Sequence, residues 1–129
     1  MPTPADTITG LYQAFARGDV PAVLAAFSPD ISWTEAEGFP YGGTYVGPDA
    51  VLLGVFARLG SEWDGFAAVP REFIASADTV VALGEYSGTY KATGKSFKAP
   101  FAHVWKFSGG LVVSFTQHTD TAVVQRALR

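Results

Sequence analysis

The stretch FKAPFAHVWKFSGGLVVSFTQHTD, from Phe97 to Asp120, decides the fold. Two strongly β-forming runs flank Ser108, Gly109 and Gly110, a pattern that predicts an antiparallel hairpin with a three-residue loop. Side chains alternate between the two faces of a strand, so this loop fixes which residues lie opposite each other. The predicted register places four facing pairs on one face: Phe107 with Leu111, Trp105 with Val113, His103 with Phe115, and Phe101 with Gln117.

Two polar residues, His103 and Gln117, lie within this otherwise apolar face. A buried polar group without a hydrogen-bond partner costs about 1–3 kcal/mol. We therefore expect both side chains to have partners in the protein or in a ligand. A cavity is expected where this face meets the helices.

The composition favours one domain, residues 1–129, with room for a lined cavity as well as a core. The chain is 48% hydrophobic and 14% aromatic, and its net charge of −3 argues against a nucleic-acid partner. The chain has no cysteine, which excludes disulfide and thiolate chemistry. The first residues lack the basic and apolar pattern of a targeting segment, and no apolar run reaches the roughly 18 residues expected of a membrane span. We expect a cytoplasmic protein with no membrane partner.

Helix and strand signals follow one another along the chain. Thr3 and Pro4 predict the start of a first helix that stops near Gly18, and Asp19 caps a second. A third helix begins at Gly47-Pro48, and a last short helix runs from Asp120 to Leu128. Strands are predicted at 31–35, 66–76 and 79–90 in addition to the hairpin, with Pro70 at an edge or bulge and a loop over residues 36–47.

This order predicts an α+β fold in which helices pack on one face of a curved antiparallel sheet. Within the first strand, Ile31, Trp33 and Glu35 share a face. A carboxylate on the same face as Ile and Trp is informative, because a solvated Glu would be expected on the opposite face. Glu35 is therefore the first candidate for a functional residue.

Several motifs resemble those of the SnoaL-like and ketosteroid-isomerase-like branch of the nuclear transport factor 2-like superfamily. They are LYQAFARGD at 11–19, FSPDISW at 27–33, YGGTYVG at 41–47, FAHVWKF at 101–107 and QHTDTA at 117–122. The resemblance covers the whole chain. It implies a cone-shaped curved antiparallel sheet with about three N-terminal helices on its concave face and a short C-terminal helix. The superfamily includes isomerases, cyclases, dehydratases and binding modules, so the fold alone does not specify the function.

The resemblance also suggests site residues. Glu35 falls where ketosteroid isomerases have their carboxylate base, and His103 falls where they have a donor to the oxyanion. Asp120 occupies a place similar to the catalytic aspartate of SnoaL-like cyclases. The first-helix tyrosine of the isomerases has no match, because Leu11 takes its place and Tyr12 is expected to point elsewhere.

Each candidate catalytic residue has a structural alternative. Glu35 is either a general base with a pKa raised by apolar walls, or a strand-end carboxylate in solvent or paired with an arginine. His103 is either a donor to a bound carbonyl compound or a core histidine with a partner in the protein. Asp120 is either a catalyst or an N-cap. The residues expected to bind substrate are Trp33, Phe39, Tyr41, Trp105 and Gln117, and no metal site is expected.

Two functions are compatible with these residues. The first is a cofactor-independent isomerase, cyclase or dehydratase that acts on a small hydrophobic carbonyl or cyclic compound through Glu35, His103 and Asp120. The second is a non-catalytic module for hydrophobic-ligand binding or dimerisation. A homodimer is expected in either case, because the outer face of the sheet is predicted to be apolar and to carry Val80, Ala82, Ala102, Val104 and Val112.

Overall fold

The helices begin where the sequence offers capping groups. The computed structural model describes residues 2–129. The Thr3 hydroxyl accepts from the Asp6 backbone N–H, and the Asp6 carboxylate accepts from the Thr3 N–H, which forms a capping box at the first helix. The helices are α1 (Pro4–Ala16), α2 (Val20–Leu24), α3 and α4 (Thr121–Ala127). Helix α3 is α-helical over Pro48–Val51, π-helical over Leu52–Phe56 and α-helical again over Ala57–Glu62.

Six strands form one open sheet in the described residues. They are β1 (Phe27–Glu35), β2 (Gly43–Val46), β3 (Trp63–Ser76), β4 (Thr79–Tyr90), β5 (Lys95–Ser108) and β6 (Leu111–Thr119). The sheet order is β2-β1-β6-β5-β4-β3, and the last four strands along the chain form the predicted antiparallel meander. Strand β1 pairs parallel with β6, and β2 lies in the segment that was predicted as a loop. The α+β prediction is confirmed.

The predicted register of the central hairpin is wrong, by one residue at Phe107 and by two residues at Trp105, His103 and Phe101. The loop has two residues, because Gly109 and Gly110 adopt φ of 59° and 81°, the positive values that a tight hairpin turn needs. A bulge follows between Lys106 and Phe107, so that Trp105 faces Phe115, His103 faces Gln117 and Phe101 faces Thr119. A shift of two residues keeps Phe115 and Gln117 on the inner face. Beyond the bulge the faces exchange, so Val112 is buried and Leu111 is exposed.

Strand β3 lies at the sheet edge and has a bulge next to Pro70, as predicted for this proline. Opposite it, Gly84 allows a close approach of three chain segments. A Cβ at Gly84 would lie 2.3 Å from the Val69 carbonyl oxygen and 2.5 Å from the Phe101 ring. Only glycine fits there without displacing backbone.

The inner face of the sheet and the helices enclose one core. Val80, Ala82 and Val112, which were predicted on the outer face, are fully buried in this core. Their neighbours in sequence, Val81 and Leu83, lie on the outer face with Ala102 and Val104, and all four are half-buried. Among residues 2–129, no helix is long and apolar enough to cross a membrane.

Candidate active site

A narrow cavity lies between the inner face of the sheet and helices α1 and α3. The cavity volume is about 40 Å³, and most of the lining is apolar and aromatic. Six of the residues predicted for the site line this cavity: Trp33, Glu35, Phe39, His103, Trp105 and Gln117. The chain therefore brings together residues from β1, the following loop, β5 and β6.

Glu35, the last residue of β1, is the only acidic residue in the lining, and only 4% of its surface is exposed. Its Oε2 has no hydrogen-bond partner within residues 2–129. Burial raises the pKa of Glu35 from 4.5 to about 8, and the nearby Trp33 indole N–H offsets part of this rise. The protonated form of this carboxyl group therefore predominates at pH 7. No arginine pairs with Glu35 in the described part of the chain, which removes the surface ion-pair alternative.

Trp33 lies on the same face of β1 as Glu35, and its ring is held on several sides. It stacks on Phe115 with a centroid distance of 3.7 Å and meets the edges of Trp105 and Phe56 at 5.6 and 5.4 Å. Its indole N–H has no acceptor with hydrogen-bond geometry in the described chain. Trp105 and Trp63, in contrast, both donate to tyrosine hydroxyls, at 3.1 and 3.0 Å.

His103 lies at the centre of a buried hydrogen-bond network. Its Nδ1 is bonded to the Tyr12 hydroxyl, and its Nε2 lies 2.5 Å from the Tyr86 hydroxyl. The Trp105 indole N–H donates to Tyr12, and the Gln117 amide donates to Tyr86 at 2.9 Å. Both ring nitrogens of His103 are thus occupied by tyrosines. Neither imidazole nitrogen is therefore free to form a further hydrogen bond in the cavity.

The imidazole of His103 is neutral at physiological pH. Burial, and to a smaller extent the charge of His118, lowers its pKa from 6.5 to about 3. A neutral imidazole has one N–H and one unprotonated nitrogen. It therefore donates to one tyrosine and accepts from the other, whichever tautomer is present.

Counting the donors and acceptors of this network leaves one tyrosine hydroxyl proton without an acceptor. One tyrosine accepts a hydrogen bond from His103, and it also accepts one from Trp105 or Gln117. Its oxygen is therefore the acceptor in both of its hydrogen bonds. Its own O–H has no acceptor among the described residues. Tyr12 and Tyr86 both line the cavity, so this hydroxyl is available to a ligand oxygen. Burial raises the pKa of both tyrosines above the usual value, which keeps them protonated.

Gln117 connects this network to the strand that carries Glu35. Its Oε1 accepts from the Ala36 backbone N–H at 2.9 Å, while its Nε2 donates to Tyr86. The side chain is 3% exposed, and both its amide oxygen and its amide nitrogen are hydrogen-bonded within the protein. Gln117, which was predicted to bind substrate, lines the cavity, and these contacts also hold Tyr86 and the backbone next to Glu35 in a constant relative position.

Two residues of the site were not expected from the sequence. Tyr12 was expected to point elsewhere, but it is buried, and its ring lies parallel to the His103 ring with a centroid distance of 5.9 Å. Tyr86 was not considered at all. Its signal was present in the alternation of β4, because Val80, Ala82 and Tyr86 share the inner face.

Two other predicted site residues lie outside the cavity lining. The Tyr41 hydroxyl donates to Glu62 at 2.7 Å and accepts from Trp63, and Arg58 lies 4.4 Å from the centre of its ring. Tyr41 thus fastens its loop to α3 instead of forming a wall. Asp120 is exposed and accepts from the Val123 N–H as the N-cap of α4, which is its structural alternative. No group of three histidine or acidic residues within 2–129 is arranged to hold a metal ion.

A family model and several solved structures match this chain. Residues 8–115 match the SnoaL-like domain family. No functionally curated protein matches the chain. A solved NTF2-like protein from Burkholderia thailandensis E264 is 44% identical, with a TM-score of 0.97 over 100% of this chain and 99% of that one.

Two further structures are similar over nearly the whole chain. An NTF2-like protein of unknown function from Burkholderia pseudomallei K96243 is 36% identical, with a TM-score of 0.90 and 98% of each chain covered. TerC, co-crystallised with polyporic acid, is 26% identical, with a TM-score of 0.87 and 98% of each chain covered.

Proposed function

The chain belongs to the SnoaL-like domain family, and we propose that it is an acid–base enzyme, of isomerase, cyclase or dehydratase type, for a small hydrophobic carbonyl or cyclic compound. One observation carries the proposal. The buried carboxyl group of Glu35, whose Oε2 has no hydrogen-bond partner within residues 2–129, opens onto the same apolar cavity as a hydroxyl network with one proton that has no acceptor. Desolvating a carboxyl group is costly, so packing alone gives no reason for it.

The proposed reaction begins with proton abstraction by ionised Glu35 from a carbon next to the carbonyl group. The electron pair of the C–H bond moves towards the carbonyl oxygen, which becomes an enolate. The free tyrosine O–H of the network, from Tyr12 or Tyr86, donates to this oxygen. Protonated Glu35 then returns the proton to the same or another carbon. The process needs no oxidant or reductant, since only protons move.

Each residue of the network has a separate task in this proposal. A donor that is already oriented towards the enolate oxygen is worth about 10²–10³-fold in rate. Neutral His103 orients the two tyrosines and does not touch the substrate. Gln117 keeps Glu35 and Tyr86 at a constant relative position. Asp120 takes no part, because it lies outside the cavity as an N-cap.

A test is available without knowing the natural substrate. Small cyclic ketones are incubated with the protein in D₂O, and exchange of their α-hydrogens is followed by NMR. We expect exchange above the buffer rate for at least one ketone, rising with pH up to about 8 as Glu35 ionises. Glu35→Gln abolishes this exchange, whereas Glu37→Gln, which changes an exposed carboxylate two residues away, leaves it intact. Equal exchange by wild type and Glu35→Gln contradicts the proposal.

The alternative function is that of a non-catalytic module for a hydrophobic ligand. Its support is the largely aromatic lining, together with the presence of polyporic acid in the TerC crystal. In that case ketones or aromatic compounds bind in the cavity but exchange no faster than in buffer. The exchange assay therefore separates the two functions.

We also propose that the protein forms a homodimer through the outer face of its sheet. Val81, Leu83, Ala102 and Val104 form a half-buried apolar area there, and Ile74 next to it is 51% exposed. An antiparallel sheet face exposed to water normally carries polar side chains. Light scattering at micromolar concentration is expected to give twice the monomer mass of 13.7 kDa, and Val104→Glu is expected to reduce it to that mass.

A further inference from the structure

Two buried polar atoms of the cavity make no hydrogen bond of acceptable geometry in the described chain, although the Trp33 indole N–H is near enough to the Glu35 carboxyl group to lower its pKa. Both atoms belong to β1. They are the Trp33 Nε1 and the Glu35 Oε2, on side chains that are each 4% exposed. The two residues are two positions apart on one face of the strand, and both line the cavity. The proton network around His103 does not use either atom.

The two atoms have complementary requirements. An indole N–H only donates, so its partner must be an acceptor. A carboxyl group donates when protonated and accepts when ionised. A carbonyl oxygen can accept from Trp33 and from protonated Glu35, and a hydroxyl group can accept from Trp33 while donating to ionised Glu35. The oxygen of a ketone can therefore bond both Trp33 and protonated Glu35, and the oxygen of an enol can bond both Trp33 and ionised Glu35.

Resting on the proposed function, we propose that Trp33 and Glu35 form a recognition point for one oxygen of the ligand, and that the substrate is a ring compound carrying at least two oxygen functions. The second oxygen meets the free tyrosine hydroxyl of the His103 network. The Phe115 ring neighbours both regions, since its centroid lies 3.7 Å from that of Trp33 and 4.9 Å from that of His103.

Packing accounts for the ring of Trp33 but not for its N–H group. The stacking on Phe115 would be met by a phenylalanine, which carries no buried donor. The indole N–H groups of Trp63 and Trp105 show the usual pattern, since each donates to a tyrosine oxygen of the protein. Trp33 departs from that pattern at the wall of the cavity.

The test uses three compounds of matched shape: p-xylene, p-cresol and hydroquinone, with no, one and two oxygens. The readout is the set of three indole N–H resonances in ¹⁵N-labelled protein, assigned by triple-resonance NMR so that no variant is required for assignment. We expect hydroquinone to shift the Trp33 resonance downfield in a saturable way. We expect p-xylene to leave it without a downfield shift, and Trp63, outside the cavity lining, to serve as the internal reference.

A variant adds a second readout. Trp33→Phe keeps an aromatic ring and removes the N–H group. It is expected to weaken hydroquinone binding about 5- to 10-fold, the value of one neutral hydrogen bond, and to leave p-xylene binding within about 2-fold. The proposal is overturned if p-xylene and hydroquinone shift the resonance alike, if hydroquinone gives no saturable shift, or if the variant weakens all three compounds equally.

This test fails independently of the proposed function. Exchange of ketone α-hydrogens that requires Glu35, combined with an unresponsive Trp33 resonance, leaves the enzyme proposal intact and removes only the recognition point. A responsive Trp33 resonance without any exchange has the opposite meaning. It identifies a binding site for oxygenated rings that performs no proton transfer.

Discussion

The buried carboxyl group of Glu35 makes a specific prediction about stability and pH. Its pKa is about 8 in the folded protein and 4.5 in the unfolded chain, so the folded state holds a proton that the unfolded state has lost between these values. Stability falls with rising pH wherever the folded state binds more protons. His103 has the opposite effect, because its pKa falls from 6.5 to about 3 and the unfolded chain then binds the extra proton.

The two effects overlap only in part. Between about pH 4.5 and 6.5 they have opposite signs and nearly cancel. Above pH 6.5 the Glu35 effect remains alone, and it continues to about pH 8. A full proton difference changes the free energy of unfolding by about 1.4 kcal/mol per pH unit. Allowing for partial titration at both ends of this window, we expect a loss of about 1–2 kcal/mol in stability from pH 6.5 to 8.

Glu35→Gln removes this loss. Urea unfolding of the variant is expected to give a free energy that changes little between pH 6.5 and 8 and rises with pH between about 4.5 and 6.5, because the His103 effect is then unopposed. The slopes are compared rather than the absolute stabilities, since the new amide also needs partners. Glu37→Gln, an exposed control, should retain the wild-type profile. Identical pH profiles for wild type and Glu35→Gln would refute a raised pKa for this carboxyl group.

Five further substitutions, in three comparisons, test the geometry by urea unfolding. Gly54→Ala places a Cβ 2.4 Å from the Tyr45 ring and should destabilise the protein by about 1–3 kcal/mol, whereas Gly60→Ala in the same helix meets nothing within 4 Å and should stabilise it by about 0.5–1 kcal/mol. Equal effects of the two changes would contradict this close approach. Gln117→Leu removes one hydrogen-bond partner each from the Ala36 backbone N–H and the Tyr86 hydroxyl, and it should lower the free energy of unfolding by about 2–3 kcal/mol. A loss below about 1 kcal/mol would mean that these two hydrogen bonds contribute little to stability. Asp120→Asn should stay within about 0.5 kcal/mol of wild type while Asp120→Ala loses about 1, and a drop in ketone exchange with Asn would instead give Asp120 a catalytic role.

Local sequence patterns were sufficient for most of the secondary structure. The caps at Thr3, Asp19 and Asp120 each lie where the sequence predicts a helix start. Alternation within β1 correctly placed Trp33 and Glu35 on one buried face. These features depend on residues within one or two turns of a helix or along one strand, so the residues close to them in sequence are sufficient to predict them.

The partners of these side chains were decided only by the tertiary structure. The hairpin register depended on the backbone angles of Gly109 and Gly110 and on a bulge, neither of which alternation of apolar residues can specify. His103 is joined to tyrosines 91 and 17 positions away, which approach it because a helix crosses the sheet and two strands pair. Periodicity predicts which face of an element is buried. Which side chains from other elements meet that face, and therefore which proton is left free in the cavity, follows from packing across the whole chain.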